Sequence, residues 1–147
     1  MGARCRTRRE EERALPGSSP RPLRVVVADD QPEVRAALRL LLEQEEGLDV
    51  VAEAASVPDL LHLVTVTPCD LVLFDWDLSG GSARPLVSAL RSRRPGLHLV
   101  ALGSQPEDCA TAIRAGADAY ASKAGGAAEL LCVLAGVRGR TSLCGRM

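Results

Sequence analysis

The chain has 147 residues, 18 Lys plus Arg against 19 Asp plus Glu, and a formal net charge of -1, so no overall field draws it to nucleic acid or to an anionic bilayer. At 46% apolar and 25% charged it has the make-up of one soluble domain, long enough to bury a core without metals or disulfides. The five cysteines are odd in number and never spaced CxxC, no run approaches a membrane span and no signal peptide is visible; reduced thiols, a cytoplasmic location and no membrane partner are therefore expected.

Residues 1–22 hold almost no large apolar side chain and are read as a disordered basic tail. The folded domain is expected over 23–137. LRVVVA (23–28) is nearly continuous and β-branched, as a strand covered on both faces should be. Pro32 suits a helix start, and Val34, Leu38, Leu41 and Leu42 recur at helical spacing through Glu45. LDVVAEA (48–54) is a second strand, Ser56 caps a helix to about Val66, and LVLFD (71–75) is a third strand.

A helix over 83–93 with Leu86, Val87 and Leu90 on one face follows the Gly80–Gly81 turn, then a fourth strand, LHLVAL (97–102). PEDCATAIRAGAD (106–118) reads as a helix with Gly116 as C-cap, DAYAS (118–122) as a short fifth strand, and AAELLCVLAGV (127–137) as the last helix. Residues 138–147, RGRTSLCGRM, are read as a tail or a truncated linker. Five such units imply an α/β fold, a doubly wound parallel sheet with helices on both faces.

Ligands of such sheets bind outside the carboxyl ends of the strands. The polar residues there are Asp29 and Asp30 after the first strand, Asp75 ending the third, Gly103 and Ser104 after the fourth and Lys123 after the fifth. Three converging carboxylates repel one another unless a cation intervenes, and oxygen ligands favour magnesium. Asp75 could then take a phosphoryl group as a nucleophile, with the metal and a lysine neutralising charge. Seventeen of the 18 basic residues are Arg, so the only Lys of the chain, Lys123, falls at one of these strand ends.

VVVADDQP, LVLFDWDLSG and AGADAYASK resemble the three signature segments of CheY-like receiver domains, the phosphoacceptor modules of two-component response regulators. The resemblance spans about 23–137 and implies the flavodoxin-like strand order 2-1-3-4-5, which is borrowed from the family and not from any spacing. It implies that Asp75 is the phosphoacceptor, that Asp29, Asp30, Asp75 and the backbone carbonyl of Asp77 hold Mg2+, that Lys123 contacts the phosphoryl oxygens, and that Tyr120 is the switch aromatic. The family usually has Thr or Ser directly after the fourth strand, whereas this chain has Gly103, with Ser104 next as the candidate hydroxyl.

The implied function is a phosphoacceptor, not an enzyme, that takes a phosphoryl group from a histidine kinase or phosphotransfer protein. It would signal to a downstream protein through the surface of the fourth helix, fifth strand and fifth helix, a surface that could also pair two copies in a homodimer. No direct nucleic-acid binding is expected, because RGRTSLCGRM is too short for a helix-turn-helix module. Two alternatives stand beside this. One is a degenerate receiver acting only as an interaction module, for which Gly103 speaks. The other is a haloacid-dehalogenase-like phosphatase, which FDWDLSG also resembles, although that family places its DxD on the first strand. Arg91, Arg93 and Arg94 are expected to be a solvated helix end, with a docking patch as the other option.

Overall fold

Five short β-branched or leucine-rich runs pair into one parallel sheet in a computed structural model that describes residues 21–78 and 80–142. In chain order the elements are β1 (Leu23–Ala28), α1 (Pro32–Glu43), β2 (Leu48–Ala54), α2 (Val57–Val66), β3 (Leu71–Asp75), α3 (Ala83–Arg93), β4 (His98–Gly103), α4 (Asp108–Ala115), β5 (Ala119–Ser122), a 3-10 turn at Lys123–Gly125 and α5 (Gly126–Ser142). The strand order is β2-β1-β3-β4-β5, so the chain reverses direction across the sheet between β1 and β3. The register aligns Ala28 with Phe74 and Asp75 with Leu102, which brings the ends of β1, β3 and β4 to one edge.

Alternate strand residues face opposite layers, and each layer is sealed by its own helices. Val26, Ala28, Val72, Phe74, Leu99 and Ala101 pack against α2, α3 and α4 through Val57, Leu60, Val64, Leu86, Val87, Leu90 and Ala112. Val25, Val27, Leu71, Leu73, Val100 and Leu102 pack against α1 and α5 through Leu42, Leu130, Leu134 and Val137. β3 is buried at every position, which is why its sequence is a continuous apolar run with no polar alternation.

Helix ends differ most from expectation. Ser56 caps α2 by accepting the Asp59 N–H at 3.3 Å, and Gly116 closes α4 in the left-handed region at φ 119°, both as expected. α4 starts at Asp108 and not at Pro106 because Gln105 and Pro106 form a turn, their carbonyls accepting the N–H groups of Asp108 and Cys109. α5 runs to Ser142, past Val137, its last buried apolar residue. The N-terminal tail reading falls on residues 1–20, outside the described residues, as do 143–147.

At 91–94 the expected solvated helix end holds for Arg93, whose side chain is exposed, and is corrected for the half-buried Arg91 and Arg94. The Arg91 guanidinium donates to the carbonyls of Leu97 and Gly116, the latter at 2.9 Å, and to Asp118 Oδ2 at 2.9 Å. Arg94 donates to the Thr67 carbonyl at 3.3 Å and Arg93 to Thr65 Oγ1 at 3.2 Å. These side chains tie α3 to its neighbours, because carbonyls at loop ends need donors that no strand or helix supplies.

Candidate functional site

Each acidic residue is aimed by the turn that ends its strand. The Asp29 N–H donates to the Ala54 carbonyl at 3.1 Å, which carries the β1–β2 pairing one residue past β1. Its Oδ1 accepts the Gln31 N–H at 2.9 Å, an Asx turn that leads straight into Pro32 at the head of α1. At the end of β3, Trp76 N–H donates to Leu102 O at 2.7 Å and Leu78 N–H to Asp75 O at 3.0 Å. That tight turn leaves the Asp75 carboxylate facing the crevice, with Oδ1 accepting the Asp77 N–H at 3.0 Å. Ser122 fixes the lysine: its N–H donates to Glu129 Oε2 and its Oγ accepts the Ala124 N–H.

These turns bring the expected groups together. One carboxylate oxygen from each of Asp29, Asp30 and Asp75 lies within 4.8 Å of the others. Lys123 Nζ stands 3.2 Å from Asp75 Oδ2 and 3.4 Å from Asp29 Oδ2. Asp29 is fully buried and Asp75 is 6% exposed, while Asp30 lies open on the rim. Burial alone would lower the Lys123 pKa, but the Asp75 and Asp29 carboxylates outweigh it and hold the ammonium above its ordinary value.

One ammonium against three carboxylates leaves an excess of negative charge, and the buried Asp29 Oδ2, which accepts no hydrogen bond of good geometry, has to share the Lys123 ammonium with Asp75. Buried carboxylate charge met by only one shared cation is costly. The donor set of three carboxylates therefore suits a hard divalent cation.

Other expected residues stand apart. Asp77 contributes its N–H to Asp75 while its side chain is exposed. Ser104 is exposed in the loop after β4, and among the described residues no hydrogen bond ties its hydroxyl to the cluster. The Tyr120 hydroxyl donates to the Gln105 carbonyl at 2.6 Å, away from the carboxylates.

Arg35 was not anticipated. Its Nη1 donates to the Asp29 carbonyl at 2.7 Å, and its Nε to Glu53 Oε1 at 3.3 Å. Glu53 also takes a hydrogen bond from Arg39, which in turn reaches Glu43 at 2.9 Å. The available signal was an Arg one turn into the helix that follows the acidic pair, opposite an acid near the end of β2.

The family model for the response regulator receiver domain matches residues 25–135. The chain belongs to that family. Among related proteins, the receiver is 32% identical over 121 residues to the nitrate/nitrite response regulator NarP of Escherichia coli, covering 80% of this chain and 56% of that one. A solved LuxR-family two-component response regulator from Aurantimonas superposes with a TM-score of 0.74 at 28% identity, covering 79% of this chain and 84% of that one. The response regulator RcsB in complex with DNA shares the fold, with a TM-score of 0.74 at 22% identity over 80% of this chain and 63% of that one.

This receiver spans about half the length of the curated relatives it matches. The partners expected from sequence, which left out nucleic acid, are corrected accordingly. That expectation rested on where the chain stops, yet relatives of this type are longer, and RcsB is solved bound to DNA. Among the described residues no helix is long and apolar enough to cross a membrane.

Proposed function

We propose that this receiver accepts a phosphoryl group on Asp75 from a histidine kinase. The observation that carries the reading is Lys123 Nζ, placed between Asp75 Oδ2 and Asp29 Oδ2 with Asp30 at the rim. In the transfer, an Asp75 carboxylate oxygen forms the new P–O bond as the phosphorus–nitrogen bond of the donor imidazole breaks, and the imidazole leaves with the electron pair. Lys123 faces the reacting carboxylate and offers its charge to the transferring oxygens. Asp29, Asp30, Asp75 and the Asp77 carbonyl would hold Mg2+, which when bound supplies positive charge to the phosphoryl group. The Asp77 N–H on Asp75 Oδ1 keeps one oxygen occupied and so orients the other.

The change of charge at Asp75 is to be read on the face built by α4, β5 and α5. Incubation of the protein with acetyl phosphate and magnesium should give a phosphoryl mass increase that is absent in Asp75→Asn. No adduct, under conditions that label an ordinary receiver, favours a second reading, an interaction module that is not phosphorylated. Gly103, which leaves β4 without a hydroxyl beside the site, is the observation on its side.

A further inference from the structure

Gly103 is the last residue of β4, buried and paired with Ser122 of β5. It is absent from the glycines with positive φ, namely Gly47, Gly80, Gly116 and Gly126. Its backbone is therefore one that any residue could adopt, and the reason for glycine must be space. The space is taken by Tyr120. A Cβ built on Gly103 would lie 2.3 Å from Tyr120 Oη and 2.9 Å from both Cε2 and Cζ, closer than real carbon contacts allow. Tyr120 pairs with Ala101 in the β4–β5 ladder, on the sheet face it shares with Gly103 two residues on. From there the ring reaches past the small Ala101 side chain, and its hydroxyl donates to Gln105 O at 2.6 Å.

We infer that Gly103 and Tyr120 form a latch that fastens the loop after β4 to β5 whatever the charge on Asp75. A ring with two alternative positions needs a competitor for the space it fills. At position 103 the competitor is a hydrogen atom, so nothing on the last residue of β4 can push the ring out or follow it in. The inference rests on the proposed role of Asp75 and narrows it: a signal from that site has to reach the α4–β5–α5 face by a path that does not move Tyr120.

The chain has one Tyr and one Trp, so both ends of the argument can be read separately. In protein carrying 3-fluorotyrosine, Gly103→Ala should shift the single fluorine resonance. It should also lower the urea midpoint in the wild-type background and leave it unchanged in the Tyr120→Ala background, where no ring remains to collide. An unmoved resonance, or equal lowering in both backgrounds, overturns the latch. Tyr120→Phe keeps the ring and loses only the bond to Gln105, so amide exchange around Gln105 should quicken severalfold; unchanged exchange would deny the loop its fastening.

The full chain is then given magnesium and beryllofluoride, a phosphoryl mimic, while Trp76 fluorescence and the Tyr120 resonance are followed together. A Trp76 response with an unmoved Tyr120 supports the latch. If both respond, the latch is wrong and the Asp75 site stands. If Trp76 does not respond, the Asp75 reading fails, and the Gly103→Ala comparison decides the latch on its own.

Discussion

Arg35 does at one residue what the acidic pair cannot do for itself. Its guanidinium holds the Asp29 carbonyl at 2.7 Å and is itself braced by Glu53, so the peptide joining Asp29 to Asp30 is fixed from the α1 side. A hydrogen bond from a charged donor contributes about 1.5–3 kcal/mol, and removal of a group that orients a metal ligand lowers metal affinity by about 10–100-fold. Arg35→Ala should therefore weaken magnesium binding about 10-fold in a Trp76 fluorescence titration, and Glu53→Gln should weaken it less. Unchanged affinity in Arg35→Ala would assign the bond to packing alone. Asp29 and Asp75 were legible in the sequence because each follows or ends an apolar run, where a polar residue is conspicuous, and Lys123 because it is the only Lys of the chain. Arg35 was not, because it works through a backbone oxygen that no side-chain pattern reveals.

At the scale of elements, strands were easier to read than helix ends. A strand buried on both faces needs an unbroken apolar run, so the buried stretch of β1 and the Leu71–Phe74 run of β3 follow from composition, while the edge strand β2 is marked by its apolar residues although Asp49 is exposed. Helices end where local hydrogen bonds say so, and α5 outruns its buried stripe because a formed helix adds each further turn at little cost. Gly116 is where the two kinds of signal agree. Its φ of 119° lies in the left-handed region, its N–H caps α4, and a Cβ there would sit 3.1 Å from Val87 Cγ1. A β-carbon in that conformation costs about 1–2 kcal/mol, so Gly116→Ala should lower the free energy of urea unfolding by about that amount. An unchanged midpoint would mean that α4 can end elsewhere without loss. Arg91 belongs to the same junction through the Gly116 carbonyl and Asp118, so this one side chain is part of how α3, α4 and β5 meet.

Over the whole molecule, the near-zero net charge hides an uneven arrangement: carboxylates crowd the crevice, while Arg24–Asp70 and Arg91–Asp118 pair elsewhere. Glu53 and Asp70 have folded pKa values below their ordinary ones. Hydrogen bonding from Arg39 lowers that of Glu53, with Arg35 adding to it against partial burial. For Asp70 burial pushes up, and the bonds from the Arg24 side chain and backbone N–H outweigh it. A depressed folded pKa means that the unfolded chain takes up the proton first, so the stabilisation is present above the unfolded values and is lost as pH falls through the folded ones. Urea midpoints measured in chelator should therefore decline from about pH 5 to about pH 3, and Glu53→Gln should flatten part of that decline. Magnesium that binds only the folded chain adds about 1.4 kcal/mol at ten times its dissociation constant, so urea curves with and without magnesium at neutral pH should differ by about that much. Asp75→Asn removes one of the three clustered carboxylates and should shrink the gap; an unchanged gap would place the bound cation away from them.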